Sequence, residues 1–140
     1  MSRRESILTA IVSALQGTTQ VGNRIYRSRM AAFQRGEAPA ITVEPLNDTA
    51  TQTLSLPRLD WRLLVRVAII VRGHPPDQLA DPIVTDMHAK LMADLTLGGY
   101  AIDIQPQGVT FEMADGDQGP GVVLCDYLVQ YRTSVANLET

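Results

Sequence analysis

Cysteine, lysine and aromatic side chains are scarce in this 140-residue chain, and each scarcity closes a route. With Cys125 alone, neither an internal disulfide nor a cysteine-based zinc site can form within one chain. Its setting, the apolar alternation VVLCDYLVQY, reads as a place for a small buried hydrophobe. Aromatic residues make up only 5%, which leaves Val, Ile, Leu, Met and Ala to build the core. No apolar run approaches the roughly 20 residues of a membrane span, so no membrane partner is expected. The opening MSRRESILTAIVSALQG carries Glu5 and spaces its apolar residues at helical intervals, which favours a folded amphipathic helix over a signal peptide and points to the cytosol.

Signatures of catalysis are missing as well. The chain has no G-x-S-x-G, no glycine-rich phosphate cradle ending in Lys-Ser or Lys-Thr, and no H-E-x-x-H. His74, Asp77 and Asp81 lie close together in sequence, but the prolines around them explain these residue types as a turn followed by a helix N-cap. His88 falls within a helical pattern and reads as a partly exposed or satisfied histidine. Asp115 and Asp117 in ADGDQGPG invite a calcium reading; the loop lacks the later bidentate Glu of an EF-hand, and a tight solvated turn accounts for it better. The expectation is therefore no enzyme, no cofactor and no metal.

What is present is arginine, in an uneven distribution. Residues 1–72 hold ten arginines against five acids, a net of +5; residues 73–140 hold Lys90 and Arg132 against ten acids, a net of −8. If the fold keeps these halves on different sides, one copy presents a basic side to the acidic side of the next, a head-to-tail contact that can close into a ring. Interleaved halves would mix the charges instead. Arg24, Arg27, Arg29 and Arg35 form the most suggestive group, since the planar guanidinium suits interfaces and phosphates. Together with Arg62, Arg66, Asp115 and Asp117 they are the candidate residues of a subunit or tube interface.

At this length the chain fits one domain. Ser2 and Glu5 make a capping box ahead of Ile7, Leu8, Ile11, Val12 and Leu15, which predicts a first helix over residues 3–16, stopped by Gly17. Residues 24–29 read as a short edge strand. Residues 40–46 read as a strand closed near Pro45, followed by a mobile loop over 47–55. In residues 58–72, RLDWRLLVRVAIIVR, alternation puts Trp61, Leu63, Val65, Val67, Ile69 and Val71 on one face of an unusually long strand. A second helix is expected to start with Asp81 as cap, to bury Val84, Met87, Leu91 and Leu95, and to end at Gly98-Gly99. Residues 100–105, 109–113 and 122–133 read as three further strands, and 134–140 as a flexible tail. Strands grouped rather than alternated with helices predict an α+β fold, a mostly antiparallel sheet packed against two helices.

With the segments placed, VGNRIYRSR, PAITVEP, DLTLGG and YLVQYRT, in that order, resemble the tail terminator, or tail completion, family of long-tailed bacteriophages across residues 3–133. The resemblance implies a late virion structural protein at the head-proximal end of the tail, present in the host cytoplasm during assembly. It implies a hexameric ring of the protein with itself, seated on the tail tube protein and facing the head completion or connector protein. DNA would pass through the channel without specific binding. Three other readings are weighed beside it: a head-completion or neck subunit on the connector, a small-molecule enzyme or binding domain using a pocket between the first helix and the sheet, and a nucleic-acid module using Arg24 to Arg35.

Overall fold

A computed structural model describes residues 1–28, 35–52, 57–113 and 120–140. Two helices lie on one face of a five-stranded sheet, the α+β arrangement expected. The first helix, α1 (Arg3–Leu15), opens as the capping box predicts: the Glu5 backbone N–H donates to Ser2 Oγ at 3.1 Å. Ile7, Leu8, Ile11 and Leu15 form its buried stripe. A turn through Gly17 and Gly22, both at positive φ, carries the chain to β1 (Ile25–Arg27), a short edge strand that pairs in parallel with β2 (Ala40–Gln52).

The sequence expectation for β2 is corrected here. The strand does not close at Pro45; a bulge between Pro45 and Asn47 absorbs the proline, and pairing continues to Gln52 against Leu59. Residues 47–52, expected as loop, are polar because this arm of the sheet is largely solvated, not because it lacks structure. The rest of that loop, residues 53–56, lies outside the described residues. Strand β3 (Arg58–Arg72) has the expected bounds and the expected inward face: Leu63, Val65, Val67, Ile69 and Val71 are buried and Trp61 is partly so.

Helix α2 (Pro76–Met92) starts five residues before its expected cap and ends before Gly98. Pro76 fills the first turn, where the missing N–H is harmless, and Pro82 sits inside the helix. Pro82 and Gln78 are both exposed, so water can satisfy the carbonyl that loses its intrahelical donor. The buried stripe is Ala80, Ile83, Met87 and Leu91; Val84 is only partly buried and Leu95 is 45% exposed beyond the helix end. The chain then turns on Asp94, whose carboxylate accepts from the Thr96 and Gly98 backbone N–H groups and the Thr96 hydroxyl.

The three strand segments expected after this turn are two. Strand β4 (Asp103–Met113) runs through Pro106-Gln107-Gly108 with a bulge in place of a turn, which an edge strand tolerates because only one of its sides is paired. Strand β5 (Pro120–Ser134) lies between β4 and β3, giving the order β1-β2-β3-β5-β4, antiparallel except at β1. Residues beyond Ser134, expected as a free tail, turn back: Val135 N–H donates to the Pro57 carbonyl and Arg3 N–H to that of Leu138.

Both helices pack on the same face, α1 over β1 and β2, α2 chiefly over β3 and β5, and enclose one aliphatic core. On the opposite face the buried cluster among the described residues is small: Ala68, Ile70 and Leu124. Cys125 faces the core, and burial pushes its thiol up to about 11, consistent with the inert small hydrophobe expected.

Candidate subunit interface

Strand order decides what becomes of the charge division. Every sheet strand from the basic first part of the chain (β1, β2, β3) lies on one side of the sheet, and both strands from the acidic part (β5, β4) lie on the other. Within the sheet the two halves do not interleave. At the β3–β5 seam they meet in specific pairs: Arg66 grips Asp126 through two hydrogen bonds of 2.9 and 3.1 Å, and Arg132 Nε donates to Asp60 at 2.6 Å. The Asp126 hydrogen bonds raise the Arg66 pKa, with weaker support from the nearby charges of Glu44 and Glu112.

The candidate arginines take different roles. Arg24 is consumed locally: Nε donates to the Pro39 carbonyl at 2.8 Å and Nη2 to the Gln20 carbonyl at 2.6 Å, tying the turn after α1 to the entry of β2. Arg27 forms a two-pronged pair with Glu5 at 3.0 and 3.1 Å, fastening the edge strand to α1 and holding the Glu5 carboxyl below its ordinary range. These two therefore do not form a loose basic patch of the kind a nucleic-acid backbone would need. Arg29, Asp115, Asp117 and the Arg35 side chain lie outside the described residues. Arg66 is partly buried in its ion pair, whereas Arg62 is exposed on the outer face of β3 with no salt bridge among the described residues. The structure thus brings Arg66 into the sheet's own bonding and leaves Arg62 to the surface.

One group escaped the sequence reading. Asp48, within the segment expected as loop, is only 7% exposed at its side chain and accepts hydrogen bonds from the Tyr131 hydroxyl and from Arg4 Nη1 at 3.3 Å. Its Oδ1 is buried without a partner. Burial raises its pKa despite both donors. Tyr131 stacks on Trp61 with ring centroids 6.0 Å apart, and Trp61 Nε1 donates to Thr133 Oγ1 at 2.9 Å. This cluster fastens the far arm of β2, β3 and β5 to the start of α1. The only hint in the sequence was Trp61 and Tyr131 each at an inward position of its strand.

A cleft of about 750 Å³ lies between α1 and the end of α2. Ser6, Ala10, Ser13 and Ala14 line it from α1, Leu91 and Leu97 from the other side, so its wall is small and mostly apolar. Its acid, Asp94, is already committed to the turn after α2, and its Lys90 pairs with Asp86 at 3.8 Å. Polar groups do not converge there as a small-molecule site requires. Comparison with protein-family models and with curated proteins finds no match for this chain.

Proposed function

We propose that the protein is a ring-forming assembly subunit that caps the head-proximal end of a phage tail tube, stops tube polymerisation and presents the surface to which the head connector binds. The observation that carries the reading is the lateral polarity of the sheet: β1–β3, from the +5 part of the chain, carry five arginines against three acids, and β5 and β4, from the −8 part, carry one arginine against three acids. A subunit with unlike, oppositely charged sides favours head-to-tail contact over self-complementary pairing, and repeated head-to-tail contact through a fixed rotation closes a ring. The sequence resemblance supplies the particular assembly and the copy number of six. The action is steric: the ring covers the growing edge of the last tube ring and leaves a channel for DNA.

The reading is tested by producing tails with the gene for this protein inactivated. Tubes of uncontrolled length that fail to join heads are the expected result. Tails of normal length that join heads would overturn it, and normal tubes that fail only at joining would move the protein to the head-completion role on the connector.

A further inference from the structure

We propose that β4 of one copy docks beside residues 47–52 of β2 in a second copy, where no strand pairs among the described residues, extending the sheet across the subunit boundary. The inference rests on the assembly reading above and names the surface that reading requires.

The two ends of the sheet are unlike. At one end β1 pairs only with residues 41–43 of β2, so from Glu44 to Gln52 the outer side of β2 has no partner strand among the described residues. At the other end no strand among the described residues pairs with the outer side of β4. Natural edges are blunted by brevity, proline, bulges or charge. β1 is short, and the first part of β4 carries Pro106 and a bulge; its second part carries one charge, Glu112, and two exposed apolar side chains, Val109 at 51% and Phe111 at 58%. An exposed edge with large apolar side chains is the kind of edge that pairs.

Length and charge select the partner. The place beside residues 47–52, without a partner strand among the described residues, takes about six residues of strand, roughly 20 Å, and the second part of β4 matches it. Arg62 and Glu112 both lie on the outer face, and neither has a salt bridge among the described residues. Arg62 pairs with Thr49 one strand in from the β2 edge, and Glu112 carries the opposite charge on the β4 edge. The strands themselves, five arginines against three acids on β1–β3 and one arginine against three acids on β5 and β4, act in the same sense over longer range.

Sedimentation of the full chain at low salt over a wide concentration range tests this. Wild type is expected to associate, less so as salt is added. Two variants, each checked by thermal unfolding, block one edge apiece: V109K/F111K on β4, and T49E/R62E beside β2. Each alone should sediment as a monomer, and a 1:1 mixture should form a dimer and nothing larger, because each variant keeps one intact edge. The swap R62E/E112R on one chain should restore association that either single change weakens. A wild type that stays monomeric, blocked variants that associate as wild type does, or a mixture that stays monomeric would each overturn the edge contact. A chain monomeric here that still stops tube growth leaves the capping role standing; a chain whose edges associate as described while tails form normally without it overturns that role instead.

Discussion

At Asp48 the fold has taken a carboxylate out of water and supplied it with Tyr131 and Arg4, a compensation that falls short of the solvent it replaces. Because its folded pKa is raised, the protonated form favours folding: that contribution is complete below the unfolded value and is lost as pH rises through the folded one. Glu5 has the opposite sign. Arg27 lowers its pKa, so its contribution holds above the ordinary carboxylate range and is lost as pH falls. Urea unfolding of wild type, D48N and E5Q between about pH 3 and 7 separates the two. The stability of wild type relative to D48N should decline with rising pH, and relative to E5Q should shrink with falling pH. Gly73 is a second residue-scale test. Its φ of +132° strains any Cβ, and the alanine methyl would displace the tip of the exposed Leu79 side chain from 2.6 Å, whereas Gly22 has a milder φ of +63° and open space. G73A should lower stability by about 1–3 kcal/mol and by more than G22A, read from denaturation midpoints.

At the scale of elements, the corrected face of α2 gives the sharpest contrast. Met87 is fully buried against the sheet, so M87A should cost about 2–5 kcal/mol, whereas L95A, beyond the helix end, should stay within about 0.5 kcal/mol. Helix α1 and strand β3 were legible in the sequence because a capping box and an unbroken alternation of period two each specify local geometry without help from the rest of the chain. Pro45, Pro82 and Pro106 misled for one shared reason. Each is a breaker only if the element must use the missing N–H or clear the ring locally; a bulge, an exposed helix face and an edge position supplied alternatives that only the tertiary structure reveals. The candidate site was legible in part. Charge counting found the two halves, but which arginines remain available depends on partners distant in sequence, Glu5 for Arg27 and Asp126 for Arg66.

At the scale of the molecule, the long strands and the lateral charge division serve a sheet whose two edges differ. Arg62 and Arg66, alike in sequence, should therefore separate on mutation. R66E would place a fourth acid beside Asp126, Glu44 and Glu112 and should cost about 1–3 kcal/mol, while R62E should leave folding within about 0.5 kcal/mol of wild type and act on association instead. Parallel unfolding and sedimentation of the two variants check both halves of that statement. The most direct measurement of the capping role is electron microscopy of tail tubes polymerising from purified tube protein with and without this chain. A ring of added density at one end of tubes that have stopped growing is the predicted result; tubes that lengthen at the same rate with bare ends would contradict it.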